Sequence, residues 1–117
     1  MKSFIVVRLQ AEGFHCWPDA PSQIAFLRVN HRHVFHVKLR IGVAHDDREL
    51  EFILVKRAAQ GWFEARLRSV DSSSCEQLAK SFVRWASATY GQRPVACEVS
   101  EDGENGAEVF NDLWSAG

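Results

Sequence analysis

The stretch HVFHVKLRIGVAH, residues 33–45, decides the fold class of this 117-residue chain. Apolar side chains occupy every second position and polar or basic ones lie between them, which is typical of a strand with one buried face. The segment SFIVVRLQAEGFH, residues 3–15, is rich in β-branched and aromatic residues and predicts a second strand. In the strand at residues 33–45, the side chains expected on the buried face are Phe35, Val37, Leu39, Ile41 and Val43. Those expected on the other face are His36, Lys38 and Arg40.

The other segments predict two helices and a closing hairpin. The stretch CWPDAPSQ, residues 16–23, is a loop between the two strands. Residues 46–69 have helical spacing, although ELEFIL within them also fits the start of a strand, and residues 72–94 begin with serines and end near a Gly and a Pro. The expected buried positions are Phe52, Val55, Ala59, Trp62 and Phe63 in the first helix and Leu78, Phe82, Trp85 and Ala86 in the second.

Two short apolar runs, 95–99 and 107–110, flank an acidic turn and predict a hairpin. The order strand, strand, helix, helix, strand, strand predicts an α+β fold (ββααββ), with a four-stranded antiparallel sheet and both helices on one face. We expect a single domain over residues 1–117.

Composition excludes some classes of partner. The net charge is −1 and the sequence pI is about 6.5, so neither a nucleic acid nor an anionic membrane is favoured. Three cysteines without a Cys-x-x-Cys pair favour a reducing compartment. The first residues lack the features of a signal peptide, and no apolar run approaches ~18 residues. We therefore expect a soluble cytoplasmic protein with no membrane partner.

Three histidines form a candidate metal site. His31 and His33 are two residues apart on a strand and therefore point to the same side. His15 ends the preceding strand and reaches the same point if the two strands pair. Three imidazoles with an open fourth position are typical of catalytic zinc, although half-buried histidines without a metal are the simpler alternative. His36 faces the other side, and His45 lies about 40 Å further along an extended strand.

Five short segments carry a family resemblance: GFH (13–15), HRHVFHVKLRI (31–41), ELEFILVKR (49–57), SSCEQLA (73–79) and CEVSEDGENGAEVF (97–110). In order and spacing they resemble motifs of the 6-pyruvoyl-tetrahydropterin synthase family, including its 6-carboxytetrahydropterin synthase branch. This resemblance implies the tunnelling fold and a zinc cofactor held by His15, His31 and His33. It also implies that Ser74 and Cys75 help to hold a pterin.

The resemblance assigns Glu101 to the anchoring of the pterin ring. One carboxylate can accept two parallel hydrogen bonds, from a ring N–H and an exocyclic amine, in a pterin or other purine-like ligand. The alternative for Glu101 is a solvated turn residue. Members of the family form homo-oligomeric rings in which subunits share active sites, so we also expect a ring here.

The chain departs from the family where the reaction needs proton transfer. Leu27 stands at the position of the family's catalytic cysteine, and no Asp-His pair lies between Lys56 and Ser74. Asp71, Glu51 or a water on zinc is left as a candidate base. Three functions therefore stay open: a zinc-dependent lyase acting on a dihydropterin, a non-catalytic binding protein for a pterin, deazaguanine or nucleotide, and an oligomeric structural protein.

Overall fold

The computed structural model describes residues 1–68 and 73–113 and shows an α+β fold. Its four-stranded antiparallel sheet has the order β1-β2-β3-β4. The predicted strands, helices and hairpin are confirmed. The strands are β1 (Ser3–His15), β2 (His31–Val43), β3 (Val95–Glu101) and β4 (Gly106–Phe110), and the helices α1 (Phe52–Arg66) and α2 (Cys75–Tyr90) lie between β2 and β3.

The pairing of β1 with β2 builds half of the sheet. All 13 residues of β1 pair with β2, from Ser3 opposite Val43 to His15 opposite His31. Odd-numbered side chains of both strands point into the core, as the alternation predicted for β2, and even-numbered ones point outward. The buried members of this face are Val7, Leu9, Ala11, Phe35, Val37, Leu39 and Ile41.

Both helices cover this same face of the sheet. Glu51 caps α1 by accepting a hydrogen bond from Ile53 N–H, and Ser74 caps α2 in a capping box with Gln77. Gly91 ends α2 at a φ of 91°, in the left-handed region that favours glycine. The helices contribute Val55, Ala59, Phe63, Leu78, Ala79, Phe82, Val83 and Ala86 to one core with the strands.

The prediction of buried residues was wrong at Phe52, which lies in line with Val55 and Ala59 but is 56% exposed. Helical spacing sets the direction of a side chain, whereas burial also needs a partner, and the described residues leave much of the Phe52 ring uncovered. Three other residues expected in the core are only half-buried, namely Val43, Trp62 and Trp85. The predicted loop, residues 16–23, overlaps a 3₁₀ helix, Ser22–Arg28, only in its last two residues.

Within residues 1–68 and 73–113, no helix is both long enough and apolar enough to cross a bilayer.

Phe63 is fully buried between α1 and α2, in ring contact with Trp62 and Phe82. We expect Phe63→Ala to lower the free energy of unfolding by about 3–5 kcal/mol, because the cavity adds to the lost burial. Phe52→Ala, at the exposed start of the same helix, should change it by less than about 0.5 kcal/mol. Urea denaturation measures both. Equal losses for the two variants would contradict the packing described here.

Candidate metal centre

The three predicted histidines meet at one end of the sheet. His15 is the last residue of β1 and pairs with His31, the first residue of β2, while His33 lies two residues further on the same face. Their ring centroids are 4.5 Å (His15–His31), 4.9 Å (His15–His33) and 4.7 Å (His31–His33) apart. One nitrogen from each ring lies within 4.8 Å of the other two. The three histidines are therefore close enough to bind one metal ion.

Hydrogen bonds fix the orientation of two of these rings. His31 Nδ1 lies 2.9 Å from the carbonyl oxygen of Val29, and His33 Nδ1 lies 2.6 Å from a carboxylate oxygen of Asp102. A carbonyl and an ionised carboxylate only accept, so each Nδ1 donates a proton. In a neutral ring this leaves the lone pair on Nε2. When neutral, both rings thus present at Nε2 the lone pair that a metal requires.

The Nε2 atoms of all three histidines are buried, and none has a hydrogen-bond partner within the described ranges. Buried polar atoms are nearly always satisfied, so three such nitrogens facing one point indicate a missing partner. Burial is the main cause that lowers the pKa of His15; the charges of His31 and His33 also lower it, against opposite effects of Glu101 and a backbone hydrogen bond with Ser73. Burial thus favours the neutral, metal-binding form of His15.

This donor set suits zinc. Imidazoles that share one tetrahedral zinc at ~2.0–2.1 Å have ring centroids roughly 5 Å apart, which is close to the separations observed here. Asp102 behind His33 and the Val29 carbonyl behind His31 are the kind of outer partners that hold metal-binding imidazoles in place. The residues present therefore fit a three-histidine zinc site.

Glu101, the last residue of β3, faces the same point. Its Oε1 lies 3.4 Å from His15 Nε2 and its Oε2 lies 3.4 Å from His33 Nε2. The thiol of Cys75 donates to Oε1 over 3.9 Å. Burial first, and the charge of Glu101 second, raise the pKa of Cys75 to about 11, so this residue is a neutral donor at physiological pH.

A cavity of about 630 Å³ opens beside the histidines. Its size is within the range of small-molecule sites. Ser74 lines it, but the hydroxyl of Ser74 is already the N-cap of α2, accepting from Gln77 N–H. The structure brings five of the six predicted site residues to the cavity wall, namely His15, His31, Ser74, Cys75 and Glu101, with His33 in ring contact with His15 and His31.

Two residues of the site were not found from the sequence. Asp102 accepts from His33 Nδ1 and, through its other oxygen, from Val34 N–H at 2.9 Å. These hydrogen bonds lower the pKa of Asp102. Cys16, the first residue after the end of β1 at His15, also lines the cavity. The sequence did contain an indication of Asp102, because this residue directly follows Glu101 at the start of a predicted turn.

The other histidines and one of the candidate bases lie away from the three converging histidines. His36 lines a depression on the outer face of the sheet, and His45 bonds Asp47 N–H in the turn after β2, as expected for residues outside the site. Glu51, a candidate base, caps α1 near the opposite end of β2 and is not among the described residues that line the cavity. The other candidate, Asp71, lies outside the described residues.

Comparison of the chain with protein-family models and with curated proteins found no match. The functional interpretation therefore depends on the histidines, the carboxylates beside them and the cavity.

Replacing Asp102 tests whether its hydrogen bond to His33 supports metal binding. We expect Asp102→Asn to raise the Kd for zinc about 10–100-fold, because the amide loses the charge that orients His33 and makes its Nε2 a stronger donor. Competition with a chromogenic chelator measures this Kd. Asp46→Asn, in an exposed turn at the other end of the sheet, is the matched control. An unchanged Kd in Asp102→Asn would show that Asp102 only shapes the turn.

Proposed function

We propose that this protein binds zinc through His15, His31 and His33 and binds a pterin or purine-like small molecule in the adjoining cavity. The observation that carries the proposal is the convergence of three buried Nε2 atoms, without a hydrogen-bond partner within residues 1–68 and 73–113, beside a cavity of about 630 Å³. Zinc at such a site supplies Lewis acidity to an oxygen of the bound compound.

The cavity wall suits a planar heterocycle with polar edges. Trp17 and Leu27 supply apolar surface, while Asn105 and Glu101 supply polar groups. Small-molecule sites commonly combine apolar walls with a few such groups. The two oxygens of Glu101 can accept from a ring N–H and an adjacent amine, which is the recognition expected for a pterin or a guanine-like ring.

The proposal includes membership of the 6-pyruvoyl-tetrahydropterin synthase family. In support, the element order is ββααββ, and the three histidines stand at the strand ends where the resemblance assigns the zinc ligands. It also includes a homo-oligomeric ring. Among the described strands, β1 and β4 each pair on one side only, and Phe14 and Phe110 on these strands are exposed. Edges of this kind are commonly covered by another chain.

A lyase is the second candidate function, and Cys16 is the observation that favours it. Leu27, which stands at the family's catalytic cysteine position, lines the cavity, and its carbonyl accepts from Trp17 N–H at 2.7 Å. This hydrogen bond brings the segment that contains Cys16 next to Leu27. A thiol therefore lines the cavity near the position where the family has one, and a thiol can exchange a proton with a bound compound.

The metal site is tested by a double substitution with a control on the same strand. We expect purified wild-type protein to retain about one zinc per chain, and His31→Ala/His33→Ala to retain almost none, because two of the three ligands are lost. His36→Ala, on the opposite face of β2, should retain zinc like the wild type. Inductively coupled plasma mass spectrometry measures the content. Equal zinc in the wild type and the double variant would refute the site.

The ligand class is tested with dihydroneopterin triphosphate and guanosine on zinc-loaded protein. Calorimetry should show binding of at least one of them, lost in His31→Ala/His33→Ala, and chromatography should show no product if the protein only binds. Product formation that disappears in Cys16→Ser, with binding retained, would establish the lyase instead. Failure of both compounds to bind zinc-loaded protein would contradict the proposed ligand class.

A further inference from the structure

Glu101 lies closer to the histidines than the recognition of a ring in the cavity would require. Each of its two oxygens lies 3.4 Å from the Nε2 atom of a different histidine, His15 and His33. These nitrogens nevertheless have no hydrogen-bond partner in the part of the chain that the structure describes. The carboxylate and the imidazoles therefore face one another at ion-pair distance without a hydrogen bond, and a cation between them would satisfy both.

The separation itself has the value expected for two ligands of one metal. Nitrogen and oxygen atoms that each lie ~2.0–2.1 Å from a tetrahedral zinc are ~3.3–3.4 Å apart. This is longer than an ordinary hydrogen bond between such atoms. Carboxylate oxygen is also an accepted zinc ligand beside histidine.

We propose that Glu101 is the fourth ligand of the metal while the cavity is empty, and that a small molecule must displace its carboxylate to reach the metal. The inference rests on the proposed function, because it requires a metal at the three histidines. While the cavity is empty, three nitrogens and one carboxylate fill the coordination positions of the metal. When a compound is bound, the position of the carboxylate is open to that compound. The displacing compound must bring its own oxygen or nitrogen donor to the metal.

The surroundings of Glu101 allow this exchange. Its side chain is 31% exposed and lies on the cavity wall, so the carboxylate has room to turn toward the cavity. There it can accept the N–H groups of a heterocycle. The same carboxylate thus binds the metal in the empty protein and the heterocycle in the complex. A compound therefore reaches the metal only if it also offers N–H groups to Glu101.

The experiment uses the full chain loaded with zinc or with cobalt(II), and azide as a small anionic probe. We expect Glu101→Gln to raise the Kd for zinc at least about 10-fold, since loss of an outer partner alone costs about 10–100-fold. The visible spectrum of the cobalt(II) protein should change in Glu101→Gln. Azide should bind the cobalt(II) variant at least about 10-fold more tightly than the wild type, because no carboxylate occupies the fourth position. Glu98→Gln, on the outer face of the same strand, is the matched control.

The outcomes separate this inference from the proposed function. Metal binding by the wild type together with unchanged zinc Kd, cobalt(II) spectrum and azide affinity in Glu101→Gln would overturn the inference and leave the proposed function intact. Absence of metal binding in the wild type would refute both. Glu101→Asp is a second variant in case the first misfolds, because the shorter side chain withdraws the carboxylate from the metal. It should change the spectrum in the same direction.

Discussion

The register between β1 and β2 is the constraint on which the candidate site depends. Side chains alternate between the two faces of a strand, so a shift of one residue would move an entire set to the other face. The burial of apolar residues such as Leu9, Val37 and Leu39 fixes this register. His31 and His33 belong to the same odd-numbered set, and His15 to the matching set of β1. The forces that fold the sheet therefore also determine where the three imidazoles meet.

The candidate metal centre lies where the core ends. Phe35 is buried, and its ring lies 5.5 Å from that of His15 and 6.0 Å from that of His33. Beyond it, the inner face of the sheet changes from apolar side chains to imidazoles. A buried polar atom without a hydrogen-bond partner costs about 1–3 kcal/mol, and three nitrogens that lack one among the described residues lie here at one point. A bound cation satisfies all three, so it would stabilise the end of the sheet as well as serve the cavity.

Much of the fold could be predicted from local patterns. Alternation in β2 predicted which face of that strand is buried, because successive side chains of a strand point to opposite faces. The capping serine and the glycine after α2 reported the ends of that helix. Strand parity was enough to join His31 with His33 and to exclude His36. These inferences succeeded because each depends on neighbours in sequence.

The features that could not be predicted depend on contacts between distant segments. The exposure of Phe52 depends on what lies over the first turn of α1, which helical spacing does not report. Cys16 reaches the cavity because the chain leaves the sheet after His15. Asp102 meets His33 because β3 lies beside β2, a pairing that two intervening helices hide from any local pattern.

The contacts of the turn between β3 and β4 restrict insertions and deletions in it. Asp102 occupies the left-handed region at a φ of 56°, and its N–H donates to the carbonyl of Val34 while its carboxylate holds His33 and Val34 N–H. Surface turns usually tolerate insertions and deletions. Here a change in the length of the turn would displace the carboxylate that orients the ring of His33, a candidate metal ligand. This short loop is therefore as constrained in length as the interior of a strand.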